Sequence, residues 1–305
     1  MSLRTAVKRR LEDAILWSGI GGAVRWQRRR QAVILAYHNI VESCTGRGDS
    51  SLHLQVSRFR AQLDLLASTH DVVPLEQVFR RRPAKAGRPA AVITFDDAYE
   101  GAMTLGVAEL RKRGLPGAVF ACSGLPDGVT TWWDGLARLD GRGLDPEVRR
   151  IALDMAQGDQ STVMALAEAN RWKVNEMPKE GRIASRAVLL RASEYLTVGV
   201  HTVTHPNLTK LDPARVVGEL VECATWVREQ FGVNRPTLAY PYGLFNDRVV
   251  EAVKGAGYRA AFRVEGGFCR PGPNLEGGFD IPRVNIPSGL SDAGFELLVS
   301  GVGLR

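Results

Sequence analysis

The residues best suited to chemistry fall in two short runs. In AVITFDDAYEG (residues 91–101), Asp96 and Asp97 stand side by side at the end of an apolar stretch. Adjacent carboxylates repel when both ionise, and burying either is costly unless something compensates the charge. In GVHTVTHPNL (residues 199–208), His201 and His205 are four residues apart and close enough to share a metal ion. Two imidazoles and one carboxylate make three protein ligands with positions left open. That composition belongs to a catalytic site rather than a closed structural one. A cation there would offset both carboxylates: one aspartate would serve as ligand, and the other would be free to accept a proton from water activated at the metal.

The elements that must position these residues alternate between apolar runs and helical spacing. Strands are expected at 31–38, 90–95, 117–122, 196–200, 236–241, 258–264 and 279–286. Helices are expected at 56–69, 101–114, 213–231 and 247–255, with a short strand near Asp71. A polar loop is expected over 39–51. Strands alternating with helices imply a parallel sheet with helices outside. The expectation is an α/β fold with a helical insertion at about 131–193. His38, the Asp96–Asp97 pair, His201 with His205, and the turn Tyr240-Pro-Tyr-Gly243 all fall at C-terminal strand ends. In parallel α/β proteins, sites are built along that edge.

Bulk properties narrow the class. The chain has 305 residues, 45% hydrophobic and 24% charged, within the range of a single globular barrel domain. No internal repeat or low-complexity tract interrupts it. The four cysteines, Cys44, Cys122, Cys223 and Cys269, form no CxxC pair, so neither a cysteine zinc site nor a disulfide framework is expected. The net charge of +7 is concentrated at Lys8-Arg9-Arg10, between Arg25 and Arg30, and at Arg80-Arg81-Arg82. Residues 1–30 read as a basic amphipathic helix preceding a catalytic domain at 31–305. The apolar run Ala14–Val24 is too short to span a bilayer, and no cleavage signal follows it. The expected location is therefore the cytoplasm, with peripheral contact at the inner membrane face through the basic N-terminus. The basic clusters lack interleaved aromatics and a recognised module, so nucleic acid is not an expected partner.

In order, Thr94-Phe-Asp-Asp97, His201-Thr-Val-Thr-His205 and Tyr240-Pro-Tyr-Gly243 resemble the motifs of the polysaccharide deacetylase family, the NodB-homology or family 4 carbohydrate esterases. Tyr37-His38 and Trp132-Trp133-Asp134 are similar to motifs of one branch of that family. The resemblance spans roughly Ile34 to Ile286. It implies a distorted (β/α) barrel of about seven parallel strands, a divalent metal, zinc first and cobalt, nickel or manganese as alternatives, and hydrolysis of an N-acetyl group from an amino sugar of a polysaccharide, glycolipid or saccharide precursor. A deformylase acting on a lipid-linked amino sugar and an inactive carbohydrate-binding protein are the alternatives. Residue by residue, it assigns Asp96 as general base, Asp97, His201 and His205 as metal ligands, and the Tyr242 backbone N–H as a donor to the oxyanion.

Two departures from the family pattern qualify that assignment. Where many members carry a base-orienting Arg, this chain has Ala239, and Arg283 is the candidate to replace it from a later strand. Where many members end with a general-acid His, this chain has no histidine after His205, and His38 is the candidate substitute. Tyr99, Trp132, Trp133 and Tyr240 are the candidates for substrate contact, the tryptophans by stacking on a sugar ring or by packing the insertion. Asp134 is expected to cap a helix. Oligomeric state is left open.

Overall fold

The computed structural model describes residues 3–44, 46–80, 87–140 and 143–303; Arg81 and Arg82 of the third basic cluster lie outside them. Seven strands close a parallel barrel: β1 (Ala32–Tyr37), β2 (Ala90–Asp96), β3 (Gly117–Ala121), β4 (Leu196–Val200), β5 (Thr237–Ala239), β6 (Ala260–Gly266) and β7 (Ile281–Asn285). Neighbours follow chain order, and β1 pairs with both β2 and β7 to complete the ring. The barrel is distorted. β4 and β5 share a single register pair, Val200 with Leu238, and the β6–β7 register shifts between Ile281 and Arg283. Phe268–Cys269 adds an antiparallel flank to β1, and Asp71–Val72 a parallel flank to β2.

Side-chain alternation along the strands decides what reaches the barrel interior. Ala32 and Ile34, Ala90 and Val92, Ala118 and Phe120, Ala239, Ala260 and Phe262, and Ile281 belong to the inner apolar cluster. Their neighbours Val33, Leu35, Ala91, Ile93, Phe95 and Val119 belong to the larger cluster under the surrounding helices. Continuing the inward set by twos carries β2 to Thr94 and Asp96, and β7 to Arg283. The polar residues of the inward set therefore collect at the C-terminal mouth.

The loop expected over 39–51 instead begins with a strand. Asn39–Val41 pairs in parallel with His53–Gln55 as a two-stranded ribbon. The expected insertion also runs too far. Its last helix, Arg186–Ser193, packs Val188, Leu189 and Ala192 into the barrel's outer core. The inserted part has a core of its own, with Trp132, Trp133, Leu136, Ala152, Leu153, Val163 and Ala167 buried together.

The N-terminal segment is two helices rather than one: α1 (Leu3–Trp17) and α2 (Ile20–Gln27), broken at Gly19, whose φ is 76°. Both rest on the last helix, Asp292–Ser300. Ser291 donates to Glu12, Arg25 reaches Ser300 Oγ at 3.3 Å, and Gly21 packs against Leu16 and Leu297. The end of that last helix is tied to the helix Val56–Thr69 through His70, whose Nε2 lies 3.1 Å from the carbonyl of Val299.

Burial holds the His70 imidazole neutral and pushes its pKa down to about 4. The unfolded chain binds a proton near pH 6.5 that the folded chain refuses. Stability therefore falls as pH drops from about 6.5 to 4, by up to about 3 kcal/mol from this group. Urea denaturation of the native chain and His70→Gln at pH 7 and pH 5 measures this: the native chain should lose stability more steeply than the variant.

Candidate active site

Asp96 ends β2 and points inward, 2% exposed. Arg283, fully buried on β7, clamps it: Nη1 donates to Oδ1 at 2.7 Å and Nη2 to Oδ2 at 2.7 Å. The guanidinium is held in turn. Nη1 also reaches Thr94 Oγ1 at 3.1 Å, Nε donates to the carbonyl of Arg263 at 3.0 Å, and the group lies over the Phe120 ring at 5.3 Å. Phe120 has room because β4 carries glycine opposite it: a Cβ on Gly199 would stand 2.6 Å from its ring. The shift in β7 register between Ile281 and Arg283 is the kind of irregularity that re-aims a side chain. Burial alone would raise the Asp96 carboxyl pKa; the charge and paired hydrogen bonds of Arg283 overcome it and hold the group below the usual carboxylate range. A guanidinium thus reaches Asp96 from β7, while Ala239 packs in the inner apolar cluster.

Beside this pair, Asp97, His201 and His205 converge. His201 Nε2 and His205 Nε2 are 3.1 Å apart, and they lie 3.4 and 3.2 Å from Asp97 Oδ1. All three residues are buried, and they are the set among the described residues whose donor atoms cluster tightly enough to hold one metal ion. His201 Nδ1 lies 2.7 Å from the carbonyl of Ala239, so Nδ1 carries the proton and Nε2 offers its lone pair to the cluster. Asp97 Oδ1 is buried without a hydrogen-bond partner among the described residues, as is His205 Nδ1. An orphaned carboxylate oxygen facing two imidazole nitrogens fits a cation, which would satisfy all three lone pairs at once.

The electrostatics agree. Burial would raise the Asp97 pKa, but His205 and His201 hold it far below the normal range. His205 is pushed down to about 3, by burial first and then by His201, and so stays neutral with a free lone pair. His201 is depressed by burial but raised further by Asp97 and Asp96.

The loops carrying these three residues are strained. Asp97, Ala98, Thr202, His205 and Tyr242 have φ of 67°, 57°, 71°, 58° and 57°, left-handed backbone in non-glycine residues. Each such residue costs about 1 kcal/mol or more and persists only where surrounding contacts fix it. Glu219, from the helix Pro213–Phe231, is one such contact. Its carboxylate accepts from the backbone of Val203 at 2.8 Å and Thr204 at 2.9 Å, and from the Thr204 hydroxyl at 2.7 Å, fixing the turn between the two histidines. The sequence reading missed it, although a glutamate on the Val216–Leu220–Cys223 face of that helix was a signal.

A cavity of about 250 Å³ opens over both groups. His38, Asp96, Asp97, Trp133, His201, His205, Tyr240 and Tyr242 line it, as do Asp49, Arg149, Glu265 and Asn285. The structure therefore brings most of the expected residues to one place. Tyr242 packs against His205, ring centroids 4.5 Å apart, and Trp133 covers His205 from another side at 4.7 Å. Tyr240 lines the wall, with its hydroxyl committed to the carbonyl of Phe279 at 2.7 Å.

Two expected substrate contacts are displaced from this cavity. Trp132 is fully buried behind Tyr242, its Nε1 donating to the carbonyl of Gly158 at 3.0 Å. Tyr99 is also fully buried; its hydroxyl accepts from Trp133 Nε1 at 2.8 Å and donates to Asp134 at 2.7 Å. Asp134 is not a helix cap. It is a buried acceptor for Tyr99, for the backbone of Asp49 at 2.8 Å and for Thr131 at 3.2 Å, and it pairs with His53 at 2.9 Å. Apolar flanks hid these partners, which are distant in sequence.

Two outcomes test this geometry. Arg283→Gln leaves Asp96 buried without its partner, so urea denaturation should show a loss of about 3–5 kcal/mol. Zinc at a hundredfold excess over its Kd should stabilise the native chain by about 2.7 kcal/mol, seen as a raised Tm, and should leave the Tm of His205→Ala unchanged.

Comparison with known proteins bears on these features. The family model described as polysaccharide deacetylase matches residues 167–261. No curated protein sequence matches the chain. Among solved structures, the chain is similar to the Streptococcus pyogenes deacetylase PplD in complex with acetate: 15% identity, TM-score 0.60, covering 88% of this chain and 98% of that one. It is likewise similar to IcaB from Ammonifex degensii, at 18% identity and TM-score 0.58, covering 89% and 98%. A third is BC0361, a polysaccharide deacetylase from Bacillus cereus, at 18% identity and TM-score 0.57, covering 88% and 69%. At these identities the likeness shows the fold, a (β/α) barrel shared along nearly the whole chain. The family model over residues 167–261, the motif order and the shared barrel together show that this chain is similar to polysaccharide deacetylases.

Proposed function

We propose that the protein is a metal-dependent hydrolase that removes an N-acetyl group from an amino sugar of a polysaccharide, glycolipid or saccharide precursor. The observation that carries this reading is the pairing, in one cavity, of an arginine-clamped carboxylate with a convergent Asp97–His201–His205 set. A sugar-binding wall needs neither.

Asp97, His201 and His205 would hold the cation. Bound there, a divalent ion supplies Lewis acidity to an amide carbonyl and lowers the pKa of water. The remaining work belongs to the chain. Asp96, kept ionised by Arg283, accepts the proton from the attacking water. Its low basicity is adequate once that water has been acidified. Arg283 fixes both carboxylate oxygens, so the base presents one orientation. The Tyr242 backbone N–H, on a left-handed turn at the cavity wall, is the donor toward the developing oxyanion. His38, half-buried at the same wall, is placed to give a proton to the leaving amine. Trp133 offers an apolar face to the sugar, and the neighbouring Tyr242 ring extends that wall.

Acetate release from N-acetylglucosamine oligomers by the zinc-loaded chain tests the reading. Asp96→Asn should keep its zinc and lose at least about 10²-fold in kcat. His38→Ala should lose less, in kcat rather than in KM. In Arg283→Lys the Asp96 carboxyl is held less firmly, so its pKa rises and the acid limb of kcat/KM moves to higher pH. A formylated amino-sugar substrate in the same assay distinguishes the acyl group. Bound sugar with no release of either acid would overturn the assignment.

A further inference from the structure

Helices α1 and α2 are apolar on the face turned away from the protein. Ile15 and Leu16 of α1 face the domain, and Gly21 of α2 is buried against Leu297 and Ser300. Opposite them, α1 presents Val7, Leu11, Ala14 and Trp17, and α2 presents Ile20, Ala23 and Trp26, at helical spacing on the exposed side. Trp17 is 91% exposed and Trp26 61%. Of the twelve large hydrophobic residues exposed among the described ones, five lie between residues 7 and 26. A solvated helix normally turns its apolar stripe inward; this hairpin has one stripe on each side.

Cations border the outer stripe. Arg25 is spent on Ser300 and Glu296, and Arg28 on Gln31 and the Phe268 ring. Lys8 pairs with Glu12 at 3.7 Å, Arg9, Arg10 and Arg30 are exposed, and Arg29 stacks on Trp26 at 4.0 Å from the ring centroid. Tryptophans beside arginines, on a helix lying along a surface, match the interface of a bilayer: the rings enter the headgroup region and the cations meet anionic lipid. Among the described residues no helix is long and apolar enough to cross a membrane, so any contact through these helices lies along the surface.

We infer that the outer face of the α1–α2 hairpin docks the protein on an anionic lipid surface. The complementarity of the exposed Arg9, Arg10 and Arg30 to acidic headgroups favours lipid over a second copy of the chain, whose own basic face would repel. Each exposed cation is worth roughly fivefold in partitioning at such a surface. The hairpin sits on the last helix, whose start follows the mouth end of β7, so docking would hold the whole barrel at the membrane.

Co-sedimentation of the full chain with phosphatidylglycerol-containing vesicles, against pure phosphatidylcholine vesicles, tests this. Binding to the anionic vesicles, weakened by salt and accompanied by a blue shift of tryptophan emission, is expected. The double substitution Trp17→Ala with Trp26→Ala should reduce binding about 10-fold or more, and Arg9→Glu with Arg10→Glu should abolish the preference for anionic lipid. All four positions face solvent, and an unchanged Tm confirms that each variant folds; if one pair does not fold, the other carries the test. No binding, or equal binding to both vesicles, overturns the proposal. So does binding that needs the arginines but not the tryptophans, which would indicate a soluble polyanion. A dimer in sedimentation velocity that the tryptophan substitutions dissolve, without vesicle binding, would assign the face to a second copy.

Discussion

Two salt-bridge bonds between the buried side chains of Arg283 and Asp96 are the constraint around which the barrel mouth is arranged. Burying a carboxylate and a guanidinium costs several kcal/mol for each ion, and good geometry with every remaining donor used is needed to offset it. The protein supplies that geometry from several directions: Thr94 from the same strand as Asp96, the Arg263 carbonyl from β6, and the Phe120 face from β3. Gly199 on β4 gives that ring its space. Removing any of these loosens the pair and frees the Asp96 carboxylate to turn.

The second carboxylate is handled by the opposite means. Asp96 has its charge met by a fixed protein cation, whereas Asp97 faces two neutral-capable imidazoles and keeps an unpartnered oxygen. The adjacent aspartates therefore differ because the strand ends between them. Asp96 is the last residue of β2, and the backbone turns left-handed at Asp97, which swings the second carboxylate toward the loop after β4. Strain at Asp97, Thr202, His205 and Tyr242 gathers where Asp97, His201 and His205 meet, and Glu219 and the Ala239 carbonyl are among the contacts that hold it.

The insertion roofs this arrangement and is rigidly joined to it. Asp134 links it to the ribbon through His53 and to the segment after β2 through Tyr99, whose hydroxyl also accepts from Trp133. His53 in turn lies 2.9 Å from Asn39 Nδ2. Burial opposes a proton on His53, but Asp134 raises its pKa above the usual value, so the network gains charge-assisted strength as pH falls toward that pKa and loses it above. Trp133 thereby reaches the cavity with a fixed ring, while its neighbour Trp132 is consumed by the insertion's core.

The sequence by itself determined the class of fold and the chemical identities at the mouth. Strand and helix periodicities are local, and the runs ending in Asp96, His38 and His201 carried enough pattern to place those residues on one edge. The distinct fates of Trp132 and Trp133, the burial of Tyr99 and the hub at Asp134 were not legible. Each depends on partners dozens of residues away, and adjacent aromatics give the same local signal whichever one faces the cavity. The break of the N-terminal helix at Gly19, and the second apolar face it leaves outside, likewise needed the last helix in place before inner and outer faces could be told apart. Arg283 stands between these cases. Its residue type made it the natural partner for an isolated carboxylate, but only closure of the barrel, with β7 beside β1 and β1 beside β2, brings it to Asp96. Register across a closed sheet is a property of the whole ring, and no single stretch of sequence contains it.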